Sequence, residues 1–191
     1  MFPERIREQF AELNAGQVAL LEAHWELLKA WNRKINLTTI TDLETAVQRH
    51  YGESLFLGRH LPTGRWSVVD IGSGPGFPGF PVAVLRPDCR VTLVESHQRK
   101  AVFLREASRK IPNVRVLAKR AEDVAERFDW AISRAVSYED LQGSLGRLAG
   151  RAMLLTGAGP PPGSLGFTWR APIALPGAEG RFLCIAESEV A

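Results

Sequence analysis

The sequence predicts an α/β protein in which a mostly parallel sheet, covered by helices, follows a helical segment. From residue 66 onward short β-branched runs alternate with helical stretches, which is the pattern of repeated βαβ units. Before that point apolar residues recur at helical spacing, as at Ile6, Phe10 and Leu13. We therefore expect a helical extension over residues 1–60, packed on an α/β domain over residues 61–191.

Three helices are expected in the extension. The first ends where the Asn-Ala-Gly sequence at residues 14–16 breaks the apolar pattern. The second carries the next apolar stripe: Val18, Leu21, Trp25 and Leu28. The third opens at residues 41–44, whose Thr-Asp-Leu-Glu spacing matches a capping box, and runs through Leu57. Aromatic residues at such spacing belong to the core, so Trp25 and Trp31 are assigned to packing.

The α/β part is divided by its glycines and prolines. Strands are expected at residues 67–71, 90–95, 113–117, 128–133 and 151–156, and helices at 78–86, 97–110 and 138–148. The glycine- and proline-rich run at 157–163 is predicted as a loop, because proline cannot continue a helix or a central strand. Residues 167–175 and 181–186 flank a Pro-Gly turn, which predicts a closing antiparallel pair.

Composition narrows the class of protein. The chain has 191 residues, 45% hydrophobic and 24% charged, the balance of a folded protein with one sizeable core. Its apolar runs are too short for a bilayer, and the charged N-terminus lacks the apolar stretch of a secretory signal. Cys89 and Cys184 have no spacing typical of a metal site or a disulfide framework. We expect a monomer in a reducing cytoplasm.

Charge is distributed unevenly along the chain. The net charge is only +3, but residues 99–120 carry eight Lys/Arg against the single acid Glu106. The eight are Arg99, Lys100, Arg105, Arg109, Lys110, Arg115, Lys119 and Arg120. Such a cluster indicates a polyanionic partner, and the alternative is a solvated helix face.

The stretch at residues 68–76, Val-Val-Asp-Ile-Gly-Ser-Gly-Pro-Gly, is the most informative in the chain. A buried strand ends in Asp70, and alternate glycines then allow the backbone to turn tightly and approach a ligand. Glu95 closes the next strand about twenty residues later, where an acid can bind both hydroxyls of a ribose. Ligands bind at this end of an open α/β sheet, so a nucleoside-containing cofactor is implied.

Two cofactors compete for this loop. Residues 74–79 fit the G-x-G-x-x-G fingerprint of dinucleotides, but Asp70 would repel a pyrophosphate. S-adenosylmethionine carries a sulfonium and an ammonium and has no phosphate, so an acid at this place suits it. The pattern favours S-adenosylmethionine, and a purely structural glycine turn remains the alternative.

With these motifs the sequence resembles the RsmG (GidB) family, bacterial methyltransferases that act on a guanine N7 of small-subunit ribosomal RNA. The resemblance rests on residues 36–40 (Asn-Leu-Thr-Thr-Ile), 49–50, 70–79, 95–96, 99–104, 120–122, 132–135 (Ile-Ser-Arg-Ala) and 175–177. It implies a class I S-adenosylmethionine-dependent methyltransferase fold, Rossmann-like, with an antiparallel last strand in a mostly parallel sheet. It also implies 16S ribosomal RNA or the small ribosomal subunit as partner.

The resemblance assigns roles to matching residues. Gly72, Gly74 and Gly76 would let the loop approach the cofactor, with Phe77 covering it, while Glu95 and Ser96 would bind the ribose. The remaining cofactor residues are Asp70, Ala121, Glu122 and Arg134. Ala121 and Glu122 would hold the adenine, although Glu122 could equally be a solvated acid. Arg134 would contact the cofactor site, polarise the guanine O6 or hold a phosphate, and its alternative is an ion pair with Asp129 or Glu139.

RNA contacts are expected from Arg49, His50, Arg99 and Lys100. A packing role for the Arg49-His50 pair is the open alternative. Guanine N7 has a lone pair and no proton, so its methylation requires placement against the methyl donor rather than a general base. The histidines and cysteines also show no spacing typical of a catalytic nucleophile or of metal ligands. We therefore predict no catalytic base, no covalent intermediate and no metal.

Two positions depart from the family pattern. Thr156 stands where the family has lysine, and Glu53 stands where it has aspartate, so Glu53 is assigned no function. Loss of a cation beside the RNA path keeps a second hypothesis open: a protein that binds the cofactor and RNA with little or no turnover. A nicotinamide-dependent oxidoreductase is a third, supported only by the G-x-G-x-x-G match.

Overall fold

One eight-stranded sheet organises the protein in a computed structural model that describes residues 1–157, 159, 161 and 165–188. The strands are β1 (Ser67–Ile71), β2 (Arg90–Val94), β3 (Val114–Leu117), β4 (Trp130–Arg134), β5 (Arg151–Thr156), β6 (Phe167–Trp169), β7 (Ile173–Ala174) and β8 (Phe182–Ser188). Their order is β3-β2-β1-β4-β5-β8-β6, with β7 also paired to β8.

Strands β1 to β5 are parallel, and β8 lies antiparallel beside β5. The predicted mostly parallel sheet with an antiparallel last strand is confirmed. The parallel strands end along one side of the sheet, at Ile71, Val94, Leu117, Arg134 and Thr156, which we call the carboxyl edge. Ligands of open α/β sheets bind at this edge.

Helices α5 (Gly79–Leu85), α6 (Gln98–Ala107), α7 (Tyr138–Gln142) and α8 (Leu145–Leu148) connect the strands. The single helix expected at 138–148 is two, because the backbone leaves helical geometry at Ser144, where φ is −120°. The strand expected at 167–175 is β6 and β7, which both pair with β8. Pro172 lies between them and has no N–H for the ladder. The loop predicted at 157–163 lies partly outside the described residues.

The N-terminal part contains α1 (Phe2–Gln9), α2 (Ala15–Asn32) and a continuous helix made of α3 (Leu43–Thr45), a π-helical segment (Ala46–Gly52) and α4 (Glu53–His60). Asn14 does more than interrupt the pattern, because its side chain accepts from the Gln17 N–H and begins α2. Asp42, rather than Thr41, caps the third helix by accepting from the Thr45 N–H. π-Helical turns occur frequently at functional sites.

Both faces of the sheet are covered. On one face the N-terminal helices, α5 and α6 share a core that includes Leu21, Leu28, Phe80, Leu93 and Phe103, and Trp25 is buried there as predicted. On the other face α7 and α8 pack over a smaller cluster, including Leu145. Within the described ranges, the helices are too short or too polar to span a membrane.

Candidate cofactor and RNA site

All backbone N–H groups of the loop between β1 and α5 are hydrogen bonded within the protein. The acceptors are Val94 O for the N–H groups of Gly72 and Ser73, Ser73 O for Gly76 and Phe77, and Gly76 O for Phe80. The other two N–H groups, those of Gly74 and Gly79, donate to the carboxylates of Glu95 and Asp70, each at 2.9 Å. Because the two prolines of the loop carry no N–H, every donor from residue 72 to residue 80 has an acceptor within the protein.

This hydrogen bonding discriminates between the two cofactors that the sequence left in competition. A pyrophosphate is bound by free N–H groups at a glycine loop and a helix N-terminus. Here the first N–H of α5, that of Gly79, is already bonded to the Asp70 carboxylate. The loop therefore fits a cofactor without phosphate and does not fit a dinucleotide.

Asp70 is fully buried beneath the loop rather than exposed beside it. Its Oδ2 accepts from Gly79, and its Oδ1 has no hydrogen-bond partner among the described residues. Burial raises the pKa of Asp70 to about 7. A cation nearby would favour the ionised carboxylate, so the site fits a cofactor that carries an ammonium and a sulfonium. Direct contact between Asp70 and the cofactor stays a prediction.

Glu95 stands at the end of β2 with only 7% of its surface exposed. Its Oε2 accepts from the Gly74 N–H at 2.9 Å and its Oε1 from the His97 N–H at 2.7 Å. Each carboxylate oxygen has a further lone pair, so Glu95 can still accept from ribose hydroxyls. The side chain thus ties the loop to β2, and its contact with the ribose stays a prediction.

Four of the predicted cofactor residues line one cleft of about 240 Å³ at the carboxyl edge. They are Gly72, Ser96, Ala121 and Glu122. The open side of Gly74 is consistent with a ligand there, since a Cβ at this position would meet nothing closer than 4.0 Å. The structure therefore brings residues from three separate βα connections to one place.

Ala121 and Glu122 lie in a short 3₁₀ turn, Ala121–Asp123, that follows β3. Arg147 of α8 donates to the carbonyls of Ala121, at 2.6 Å, and of Val124. This arginine holds the turn in place, a role that its sequence position does not reveal. The Glu122 side chain is exposed, so both of its proposed roles remain open.

Phe77 does not cover the cleft, contrary to expectation. It is 3% exposed and stacks on the His50 ring with 4.4 Å between centroids. It also makes edge contacts with His24 and Tyr51. An apolar ring gains more from this aromatic pocket than from solvent, so Phe77 packs the loop against the N-terminal helices.

Arg134 ends β4, and its guanidinium reaches back to the π-helical segment. Nη1 donates to the Arg49 carbonyl and Nη2 to His50 Nδ1, each at 2.6 Å. The buried Glu53 lies 3.8 Å from Nη1 and forms the ion pair with Arg134. Burial lowers the pKa of Arg134 to about 10, which leaves it a cation at neutral pH. A direct contact with cofactor or guanine stays a prediction.

The two acids considered as partners of Arg134 are not used in that way. Asp129 accepts from the Ser67 hydroxyl at 2.6 Å and from the Ser67 N–H at 2.8 Å. Glu53, to which the sequence assigned no function, instead joins two arginines: it pairs with Arg134 and accepts from Arg181 through both oxygens, at 2.6 and 2.7 Å.

His50 is buried, with 3% of its surface exposed, which does not fit a direct contact with RNA. Its Nδ1 accepts from Arg134, so Nε2 carries the proton and donates to the Thr38 hydroxyl at 2.8 Å. Burial, and then the charge of Arg134, lower the pKa of His50 to about 3. The neutral ring connects β4 to the Asn-Leu-Thr-Thr segment, so His50 shapes the site.

Arg49 points outward and is exposed, while its carbonyl receives the Arg134 hydrogen bond. Its side chain has no hydrogen bond or ion pair with any residue in the described ranges. It is therefore available for a phosphate. Between the two halves of the Arg49-His50 pair, only the arginine is placed for the predicted RNA contact.

The basic cluster at 99–120 does not form one patch. Helix α6 runs away from the carboxyl edge, so Arg99 and Lys100 lie in its first turn beside the cleft. Arg109 and Lys110 follow its last turn. A ten-residue helix separates the two pairs by about 15 Å. The second pair thus lies away from the cleft, and phosphate binding by Arg99 and Lys100 stays a prediction.

The other cations of the cluster also differ from one another. Lys119 and Arg120 line the cleft itself. Arg115 lies on β3 and pairs with Glu126 at 2.7 Å, both side chains being about half exposed. Arg115 therefore follows the solvated-face interpretation.

The fold is that of class I methyltransferases, and the cleft lies at the edge of the sheet where such folds bind ligands. The chain is similar to a solved S-adenosylmethionine-dependent methyltransferase of Aquifex aeolicus, with a TM-score of 0.56 and 15% identity over 74% of this chain and 92% of the other. The chain belongs to the GidB family, rRNA small subunit methyltransferase G, whose model matches residues 17–157. Membership of this family identifies S-adenosylmethionine as the cofactor.

The relatives of the chain include two proteins named ribosomal RNA small subunit methyltransferase G. The protein of Halorhodospira halophila is 38% identical over 136 residues, 70% of this chain and 64% of that relative. The chain thus spans just under two thirds of that relative's length. The protein of Xanthomonas campestris is 37% identical over 186 residues, 90% of this chain and 87% of its own.

Sequence reasoning missed several residues that build the site. They are His24, Thr38, Glu53, Arg147 and Arg181. His24, Glu53, Arg147 and Arg181 act through partners at least 23 positions away in the chain, so no local pattern marks their roles. Thr38 lies in the 36–40 segment on which the resemblance rests, but its hydrogen bond to His50 is formed only in the folded chain. Among the described residues, no group of three or more histidine, cysteine or acidic side chains is arranged to hold a metal ion.

Proposed function

We propose that the chain transfers a methyl group from S-adenosylmethionine to N7 of a guanine in 16S ribosomal RNA. The observation that carries this proposal is a cofactor cleft suited to a phosphate-free nucleoside, beside exposed cations at the same edge of the sheet. Cations there would hold the RNA backbone, which is the sequence-independent part of RNA binding.

The residues of the site would act by placement. S-adenosylmethionine, when bound, supplies the electrophilic methyl group. Gly72, Glu95 and Ser96 would hold its nucleoside, while Asp70 offers a buried carboxylate to its cationic end. N7 has no proton to lose, so proximity and orientation supply most of the rate. Both ring nitrogens of His50 are already hydrogen bonded, which agrees with a reaction that needs no general base.

We also propose that the protein acts as a monomer in the cytoplasm, where ribosomal RNA is found, without a metal. The helical extension, residues 1–60, and the methyltransferase domain, residues 61–191, would act as one unit. Their side chains already share one core.

Methyl transfer from labelled S-adenosylmethionine to unmethylated small subunits, and to their purified RNA, tests the proposal. Mass spectrometry of the digested RNA should reveal N7-methylguanine at one position of the 16S RNA. Methylation of another atom, or of another RNA, would contradict the proposal.

The second candidate is a cofactor- and RNA-binding protein with little turnover, and it rests on Thr156. Threonine carries no charge, so this position presents no cation to RNA. The side chain is 8% exposed, and its hydroxyl donates to the Gly159 carbonyl at 2.8 Å. No methyl transfer, together with retained binding of S-adenosylhomocysteine and of RNA, would favour this candidate.

RNA binding should depend on one end of α6 only. We expect the double variant Arg99→Ala, Lys100→Ala to bind small-subunit RNA more weakly. Removing two phosphate contacts should reduce the slope of log K against log salt by about 1.4–1.8. The slope is measured by filter binding across a salt series.

The matched control, Arg109→Ala with Lys110→Ala, removes the same charge at the other end of α6 and should leave the slope unchanged. Equal effects of the two double variants would mean that the basic cluster is a solvated helix face and not an RNA-binding site.

A further inference from the structure

His24, in the middle of α2, is the strongest feature that the proposed function does not use. It is 1% exposed and lies among Phe77, Phe80 and Phe103. Burying the two polar nitrogens of a histidine in such an apolar environment costs free energy unless both are hydrogen bonded. Both are bonded here, and one of the partners belongs to the cofactor loop.

The partners determine which nitrogen carries the proton. His24 Nε2 lies 2.9 Å from the Pro75 carbonyl oxygen, which can only accept, so Nε2 is the donor. Burial keeps the ring neutral by lowering its pKa to about 3. Nδ1 therefore has no proton and accepts from the Tyr51 hydroxyl, 2.7 Å away. Tyr51 belongs to the π-helical segment, so two N-terminal helices converge on this imidazole.

Pro75 lies between Gly74 and Gly76 in the loop. The N–H groups on either side of it are held by Glu95 and by the Ser73 carbonyl. His24 holds the carbonyl between them and turns it toward α2, away from the cleft. Its Nε2 would lie 3.2 Å from a Cβ on Gly76, so the contact is close as well as directional.

We propose that His24 is a positioning residue for S-adenosylmethionine: by donating to the Pro75 carbonyl it holds the glycine loop in the form that binds the cofactor. The N-terminal helices thereby contribute to cofactor affinity without touching the cofactor. Without this donor the carbonyl would be left unpaired, and the 75–76 peptide would turn to reach water. The preceding Gly74, whose open side leaves room for a ligand, would move with it.

Three variants test the proposal through the dissociation constant of S-adenosylhomocysteine, measured by calorimetry without RNA. His24→Phe keeps an aromatic ring but no donor, and should bind about tenfold more weakly. His24→Gln places an amide N–H near the position of Nε2 and should bind within about threefold of the unaltered protein. Leu21→Ala, a buried apolar change on the same helix, should lower the melting temperature and leave the dissociation constant within about twofold. Unchanged binding by His24→Phe, no rescue by glutamine, or an equal loss in Leu21→Ala would overturn the proposal.

The imidazole tautomer supplies a readout that does not depend on the variants folding. Long-range ¹⁵N–¹H spectra of the unaltered protein should show His24 protonated on Nε2, with its signal shifted by S-adenosylhomocysteine. Protonation on Nδ1 would overturn the proposal, because Nε2 could not then donate to Pro75. The inference rests only on the cofactor half of the proposed function. If the unaltered protein bound no S-adenosylhomocysteine, that half would fail, and the His24 proposal would fail with it. Failure of methylation alone would leave it standing.

Discussion

Gly72→Val should abolish cofactor binding while leaving a folded protein. Gly72 has a φ of +70°, which a β-branched residue adopts only under strain. A Cβ there would also lie 2.6 Å from Val136 Cγ2, far inside van der Waals contact. Because Gly72 is exposed at the mouth of the cleft, the loop can shift to relieve both conflicts without unfolding the sheet. The shifted loop would no longer present the cleft to S-adenosylmethionine.

We expect the affinity for S-adenosylhomocysteine to fall by about 100-fold or more, since strain and overpacking together cost about 3 kcal/mol. Calorimetry measures the affinity, and circular dichroism checks the fold. Gly150→Val is the matched control, because a Cβ at Gly150 meets nothing within 4 Å and its φ is not in the left-handed region. If Gly72→Val bound S-adenosylhomocysteine normally, the loop would not be the cofactor loop.

Glu53→Gln should be the most destabilising single change at the network behind the cleft. The carboxylate is nearly fully buried, accepts two hydrogen bonds from Arg181, and lies beside Arg134. The amide removes the negative charge and leaves two largely buried cations close together. Removing one partner of a buried pair costs about 3 kcal/mol. For a chain of this size that lowers the melting temperature by about 6–12 °C.

The comparison for Glu53 is Glu187→Gln, which breaks an exposed ion pair with Arg170. Exposed pairs contribute little, so its free energy of unfolding should change by about 0.5 kcal/mol or less. Urea unfolding of both variants measures the difference. Equal losses would mean that the contacts of Glu53 with its two arginines contribute no more to stability than an exposed ion pair does.

The sheet could be predicted because its signals are local. β-branched runs identified β1 to β5 within a few residues, and the turn at 176–180 identified the antiparallel closure. Errors arose where one residue interrupted an otherwise good pattern: Pro172 divided one strand, and Ser144 divided one helix. The caps were imprecise for the same reason, since Thr41 and Asp42 are both good capping residues and geometry selects one.

The site was predicted less completely than the sheet. Gly72, Ser96, Ala121 and Glu122 do line one cleft, because strand ends of a parallel sheet meet at one edge. The predicted direction of the Phe77 side chain was wrong, since an aromatic residue beside a glycine loop can face either the ligand or the core. The basic cluster is continuous only in sequence, because Arg99 and Lys100 lie in the first turn of α6 and Arg109 and Lys110 follow its last turn.

The chain of amino acids alone thus specified the α/β class, the glycine loop and the acids at the ends of β1 and β2, and it favoured a cofactor without phosphate. Periodicity and spacing carry that information, and both act over a few residues. The partners of Glu53 depended on tertiary packing, since Arg181 lies 128 positions further along the chain. So did the neutral rings of His24 and His50. A side chain's charge state and orientation depend on which distant groups are buried beside it, and only the folded chain brings those groups together.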